Sequence, residues 1–169
     1  LNAARAVHRL NEAKWRRDLH LRKAEDAPDA DALLVQLTRV EFLLDDQNAP
    51  QARTLLESLR TLHPRHPGVL EWLARTYRQL GAWEPLRQLL PEVQKQKVFG
   101  PDLLAEMQGE VYRALLQSTA AAGPLEALRA LWKQTPAALR ENDETLLVDY
   151  ATALCEFNAF EEAETVLRE

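Results

Sequence analysis

Residues 63–91 read HPRHPGVLEWLARTYRQLGAWEPLRQLLP, and this stretch decides the fold. Apolar residues recur at three- and four-residue spacing on both sides of a Gly-Ala-Trp interruption, which predicts helices over 67–79 and 83–97. Gly81 lies where the first helix must end and the chain must turn. The stretch therefore predicts two antiparallel helices joined by a short turn.

The same pattern extends along the whole chain. Leu, Ala, Arg, Glu and Gln dominate, all of them good helix formers, whereas Ile is absent and no segment alternates with the period of two that is typical of strands. The predicted helices are 1–9, 12–25, 30–45, 49–61, 67–79, 83–97, 101–121, 124–134, 136–141, 143–156 and 160–168.

Proline, glycine and asparagine mark the predicted boundaries of these helices. Seven prolines are expected between helices or at helix starts, where a missing N–H costs least: Pro28, Pro64, Pro67, Pro91, Pro101, Pro124 and Pro136. Pro50 and Pro85 are expected in the first turn of the second helix of a pair. Gly81, Gly123 and Asn158 are the expected turn residues, because they tolerate conformations that other side chains disfavour.

The helix pairs recur with a fixed period. An offset of 34 residues aligns Ala52 with Leu86 and Leu56 with Leu90, and this is the period of the tetratricopeptide repeat. A further copy places Ala151 opposite Ala163 near the C-terminus. We therefore predict an all-α fold, a tetratricopeptide-repeat-like right-handed superhelical solenoid of antiparallel helix pairs. It would form a single domain over 1–169, with about five pairs and truncated outer ones.

Composition narrows the function classes. The net charge of -5 argues against nucleic acid as a partner, since phosphate binders carry a basic surplus. Cys155 is the single cysteine, so no internal disulfide forms. No apolar run is long enough to span a membrane. Because the chain begins with Leu1 rather than Met, we expect it to be a piece of a longer protein.

Catalytic and cofactor motifs are absent from the sequence. It contains no GxGxxG, GxxxxGK[ST], HExxH or GxSxG pattern and no Cys/His spacing typical of metal sites. His63 and His66 flank a proline in a predicted turn, which favours a solvated linker over a metal site. We therefore predict no catalytic, cofactor-binding or metal-binding residue, and a protein that is not an enzyme.

The predicted architecture offers a groove on the side of the first helix of each pair. Its expected lining mixes charge, tyrosine and aliphatic carbon, a combination that suits protein recognition, in which a few anchors supply most of the binding energy. The alternative is a solvated inner surface. The residues predicted to line this groove and bind a partner protein are Leu37, Glu41, Asp45, Glu71, Arg75, Arg78, Tyr112, Val148 and Thr152.

Three segments in this order suggest a family. TRVEFLLDDQNAPQARTLLESL, then HPRHPGVLEWLARTYRQLGAWEPLRQLLP, then LRALWKQTPAALR resemble the HemY-type proteins of proteobacteria, along nearly the whole chain. The resemblance implies a role in late porphyrin and haem biosynthesis and an N-terminal membrane anchor that this chain lacks. It also implies a domain on the cytoplasmic side of the bacterial inner membrane. No catalytic residue of the family transfers to a position here.

Two functions follow from these observations. The first is a non-enzymatic scaffold or regulator that binds other proteins, among them enzymes of late haem biosynthesis. The alternative is a carrier module that holds porphyrin or haem between helices near Tyr112, His8 or Trp132. The sequence gives no convergent ligand set for the carrier.

Overall fold

The computed structural model describes residues 13–23 and 31–168, and within them it contains helices and no strand. The all-α prediction is confirmed, while the predicted helix over 1–9 lies outside the described residues. Residues 13–23 are helical and are labelled α1. The remaining helices are α2 (Ala32–Asp45), α3 (Ala49–Leu62), α4 (Pro67–Gln79), α5 (Trp83–Lys95), α6 (Pro101–Ala122), α7 (Leu125–Gln134), α8 (Ala137–Asn142), α9 (Glu144–Glu156) and α10 (Phe160–Arg168).

The chain forms two compact units, Leu1–Pro64 and Arg65–Glu169. In the first, α2 packs against α3. In the second, α4 packs against α5, α6 against α7, and α9 against α10, so that neighbouring helices form pairs as the sequence predicts. α6 also packs against α5, α8 and α9, which makes it the centre of the second unit. A single solenoid domain over the whole chain stays a prediction.

Three of the pairs close through the same turn. Gln47, Gly81 and Asn158 occupy its middle with φ of 59°, 63° and 59°, which is the left-handed region. Each donates its N–H to the carbonyl three residues earlier, at 2.9, 3.1 and 2.9 Å. The next N–H donates to the carbonyl five residues before it, at 2.7, 2.9 and 3.0 Å. These bonds satisfy carbonyls at the end of the first helix, so three pairs are variants of one geometric unit.

One turn glycine and one proline differ from the prediction. Gly123 does end α6, but in extended backbone with φ of -106°, and its N–H donates to the Thr119 carbonyl at 2.8 Å. Pro91 lies inside α5 rather than at a boundary. An interior proline costs about 3 kcal/mol. Leu90 and Val93, 3% and 0% exposed, offset that cost, because burying each contributes roughly 1.5–3 kcal/mol.

One apolar cluster of the second unit is built from α6, α7, α9 and α10. Trp132 stacks on Tyr150 with ring centroids 4.1 Å apart and planes 9° apart. Ala151 and Ala163 are each 4% exposed and belong to the same apolar cluster. These two small side chains lie in the core shared by α9 and α10, as the sequence predicts.

A glycine in the middle of α6 has a local explanation. Gly109 is buried, and a Cβ added there would lie 3.0 Å from a carboxylate oxygen of Asp143. Asp143 caps α9 by accepting the N–H of Leu146 at 3.0 Å. Glycine at this position therefore lets the capped start of α9 approach α6 closely.

Candidate protein-binding face

The predicted groove residues fall on both units. On α2 of the first unit, Leu37 is partly buried, whereas Glu41 and Asp45 are exposed. The other predicted residues lie on α4, α6 and α9 of the second unit. There the structure places Glu71, Arg75 and Arg78 along one face of α4, and Val148 and Thr152 on the exposed side of α9.

Arg78 joins α4 to α6. Its Nε donates to Glu110 at 2.6 Å and its Nη2 to the other oxygen of Glu110 at 2.5 Å, while Nη2 also donates to Glu106 at 2.7 Å. These hydrogen bonds, first of all those to Glu110, hold the pKa of Arg78 above its usual value. Arg78 is therefore a packing residue between two helices, and its charge is already balanced.

Arg75, one turn earlier on α4, is more accessible. Its side chain is 53% exposed, and it pairs within the helix with Glu71 at 2.7 Å. Its guanidinium also lies 5.6 Å from the centre of the Trp72 ring. Exposed pairs of this kind contribute less than about 1 kcal/mol, so Arg75 can exchange its partner for another protein's carboxylate at little cost.

A cleft of about 320 Å³ separates α6 from α9 in the same unit. Its lining residues are Gln117, Ala120 and Ala121 from α6 and Asp149, Thr152, Ala153 and Glu156 from α9. Gln117 donates to Asp149 at 3.4 Å across it. The lining includes three alanines, two carboxylates and no cation. The cleft is therefore complementary to a donor-bearing or basic side chain.

Tyr112 does not belong to this face. It is 8% exposed, and its hydroxyl donates to the main-chain carbonyl of Gln134 at 3.2 Å. Because the C-terminal end of α7 meets α6 at this hydroxyl, the ring is enclosed in the apolar cluster of the second unit. The sequence pattern located Tyr112 on α6 correctly but assigned it to the wrong side of the helix.

Two contacts of the face were missed by the sequence reasoning. Arg78 and Glu110 are 32 residues apart, and so are Gln117 and Asp149. Away from this face, Arg129 pairs with Glu162 at a separation of 33 residues and lowers the pKa of that carboxyl. These separations are close to one repeat. A search for polar pairs one repeat apart would have found them.

The aromatic residues proposed for a carrier are engaged in packing. The hydroxyl of Tyr112 has a main-chain partner, and one face of Trp132 is covered by Tyr150. His8 lies outside the described residues. Within residues 13–23 and 31–168 no group of three or more His, Cys, Asp or Glu side chains could hold a metal ion. No helix in that part of the chain is long and apolar enough to cross a membrane.

The pairing of the helices and their shared turn define an all-helical protein built from antiparallel helix pairs. Over 133 residues the chain is 31% identical to "Protein HemY" of Escherichia coli (strain K12), a match that covers 79% of this chain and 33% of the relative. Identity and coverage are the same for "Protein HemY" of Escherichia coli O157:H7 and of Shigella flexneri. The chain is therefore HemY-like, as the sequence resemblance predicts.

The chain spans about a third of the length of the curated relatives it matches. No family model matches it. No solved structure matches it either.

Proposed function

We propose that this chain is a non-enzymatic interaction module that holds other proteins together or regulates them. The observation that carries the proposal is the carboxylate-lined cleft between α6 and α9. The same unit exposes the guanidinium of Arg75 on α4 and the side chain of Val148 on α9. Protein-binding surfaces combine charged and apolar side chains in this way.

The proposed setting comes from the similarity to HemY. We propose that the partners are enzymes of late porphyrin and haem biosynthesis, and that the protein is anchored in the bacterial inner membrane with this region on the cytoplasmic side. The helix pairs would stack as a tetratricopeptide-repeat-like solenoid, in which neighbouring pairs bury each other's apolar faces. The similarity of this chain to HemY over 133 residues supports the setting.

In this proposal the cleft takes a basic side chain of the partner. Asp149 and Glu156 attract it, and the small side chains of Ala120 and Ala153 leave room for its apolar stem. A few such anchors would supply most of the binding energy. Arg78 contributes indirectly, because it fixes α4 against α6.

The test is a crosslinked pull-down of the membrane-anchored, full-length protein from its own host, read by mass spectrometry. Two variants change the charge by the same amount. Thr152→Lys adds a cation to the cleft, and Gln94→Lys adds one to an exposed position on α5. We expect Thr152→Lys to lower recovery of the porphyrin enzymes at least fivefold, and Gln94→Lys to leave it unchanged. Circular dichroism checks that both variants keep their helices.

The outcomes separate the parts of the proposal. If the unaltered protein enriches no porphyrin enzyme, the pathway assignment is wrong. If both lysine variants recover the enzymes as the unaltered protein does, the cleft is not the binding site. Charge reversal at Arg75 is the second variant to test, because Arg75 is exposed and its loss breaks only a pair within one helix.

A further inference from the structure

A cavity of about 440 Å³ lies among α7, α8, α9 and α10 of the second unit, and it is called the α8 cavity. It shares no lining residue with the α6–α9 cleft. Five of its six lining residues belong to α7, α8 and α9, and one belongs to α10. Its volume lies within the range of small-molecule sites in proteins. The lining residues are Trp132, Arg140, Glu141, Glu144, Leu147 and Val166.

The Arg140 side chain in this cavity lacks a partner. Its Nε is buried and accepts no neighbour as a hydrogen-bond acceptor, and its other side-chain nitrogens form no hydrogen bond or ion pair with the residues that the structure describes. Arg78 and Arg129 of the same unit, in contrast, each bind carboxylates. A buried donor without an acceptor costs stability, and that cost is recovered when a ligand supplies the acceptor.

Helix α8 holds Arg140 in place. The Pro136 carbonyl accepts the N–H groups of Leu139 and Arg140 at 3.0 and 3.1 Å, and the N–H of Asp143 donates to the Leu139 carbonyl at 2.9 Å. Leu139 also packs against the apolar cluster of the second unit. The guanidinium is therefore carried by a short helix that is fixed at both ends, and a fixed backbone loses less entropy when a ligand binds.

Two carboxylates line the cavity together with this cation. Glu141 follows Arg140 on α8, and Glu144 lies in the first turn of α9. Both are exposed, and neither forms an ion pair with Arg140 or with any other cation in the described part of the chain. The cavity therefore presents both signs of charge without direct neutralisation between them. A complementary ligand carries an anionic acceptor for Arg140 and a cationic donor for the glutamates.

The remaining lining is apolar. Trp132 has one face stacked on Tyr150, and the half-buried ring also lines the cavity together with Leu147 and Val166. The stacking holds the indole in one orientation. These three side chains suit an apolar or aromatic group, because they remove its surface from water.

We propose that the α8 cavity binds a free α-amino acid with a large apolar side chain. Its carboxylate accepts hydrogen bonds from the Arg140 guanidinium, a pairing that is strong because both groups are charged. Its ammonium group donates to Glu141 or Glu144, and its side chain packs on Trp132 and Leu147. This inference goes beyond the proposed function, because it adds a small-molecule site to an interaction module and uses none of the cleft residues.

The test is a titration with L-phenylalanine followed by NMR. The chain has four tryptophans, and the indole N–H signal of Trp132 is the one that disappears in Trp132→Phe. We expect L-phenylalanine to shift this signal in a saturable manner. N-acetyl-L-phenylalanine lacks the cation and L-phenylalaninamide lacks the anion, so each should bind at least tenfold more weakly than the free amino acid.

Variants assign each charge of the ligand to its partner. Arg140→Gln should weaken binding of L-phenylalanine at least tenfold and leave the affinity for the amide unchanged. Glu141→Gln combined with Glu144→Gln should weaken binding of L-phenylalanine and leave the affinity for the N-acetyl compound unchanged. The control is Arg65→Gln, which removes the same charge from an exposed position before α4 and should bind as the unaltered chain does. Urea unfolding should show no loss of stability in Arg140→Gln, because the buried Nε has no partner.

Three results would overturn the proposal. The first is the absence of a saturable shift, and the second is equal affinity for all three compounds. The third is binding of radiolabelled L-phenylalanine, in equilibrium dialysis, to this chain but not to the full-length protein, which would show that another part of that protein fills the cavity. Tighter binding of the N-acetyl compound would also overturn it and assign the cavity to the C-terminal residue of a peptide. The Thr152→Lys pull-down tests the α6–α9 cleft separately, so the two failures are distinguishable.

Discussion

The ion cluster around Arg78 should be measurable as a coupling between α4 and α6. Replacing Arg78 with methionine keeps most of the side chain's apolar stem and removes three hydrogen bonds, of 2.5 and 2.6 Å to Glu110 and 2.7 Å to Glu106. The two bonds to Glu110 form a bidentate pair, which is the stronger arrangement. The single bond to Glu106 is made by a carboxylate that is 56% exposed.

The expected coupling energy follows from the solvent exposure of the paired side chains. The side chains of Arg78 and Glu110 are 33% and 28% exposed, so solvent screens the pair in part and we expect a coupling of about 1–1.5 kcal/mol. The coupling to Glu106 should be about 0.5 kcal/mol or less, as for other exposed pairs. Arg78→Met should therefore lower the free energy of unfolding by about 2 kcal/mol.

The assay is a double-mutant cycle measured by urea unfolding and followed by circular dichroism. It compares Arg78→Met, Glu110→Gln, Glu106→Gln and the two pairwise combinations with the unaltered chain. A coupling between Arg78 and Glu110 below about 0.3 kcal/mol, or one smaller than the coupling to Glu106, would refute the reasoning. Salt should weaken the Glu106 coupling more than the Glu110 coupling, because the former is more exposed.

Four further substitutions have defined outcomes. Gln47 and Gly81 both have positive φ, which glycine adopts at less cost than other residues. Gln47→Gly should therefore raise the free energy of unfolding by about 0.5–1 kcal/mol, and Gly81→Ala should lower it by about 1–2 kcal/mol. Urea unfolding that shows the two substitutions changing stability in the same direction would contradict this. Arg87 lowers the pKa of Glu84, so this pair stabilises the fold above the ordinary glutamate pKa and the contribution is lost as pH falls through the lowered value. Glu84→Gln should therefore destabilise at pH 7 and have little effect near pH 3, whereas a pH-independent difference would refute the assignment. Trp132→Ala should cost about 2–3 kcal/mol, because the ring is half-buried and stacked, and a loss under 1 kcal/mol would show that the stacking is unimportant.

The helices were predictable because local signals agreed with one another. Apolar residues at helical spacing, prolines at first turns and turn-forming residues at helix ends all indicated the same boundaries, and the structure places α4 at the predicted 67–79. Gln47 was not predictable as a turn residue, since glutamine has no preference for positive φ. Its neighbours impose that conformation through the hydrogen bonds of the turn and the packing of α2 against α3.

The candidate face was predictable only in outline. The position of Arg75 and Thr152 on exposed sides of their helices follows from helical periodicity. The assignment of Tyr112 failed, because the side of α6 that carries it is enclosed by elements far along the chain. Periodicity within one helix gives the relative directions of its side chains, but the position of the neighbouring helices determines which direction is solvent.

The spacing of the polar contacts explains how one pair recognises the next. Arg78 reaches Glu110 and Gln117 reaches Asp149, each from the first helix of one pair to the first helix of a later one. The turns of the α4–α5 and α9–α10 pairs are alike, so these two pairs can be aligned residue by residue from the turn. In that alignment Cys155 occupies the position of Arg78, and it is exposed. The first helices of α4–α5, α6–α7 and α9–α10 are therefore joined in order by polar contacts 32 residues apart.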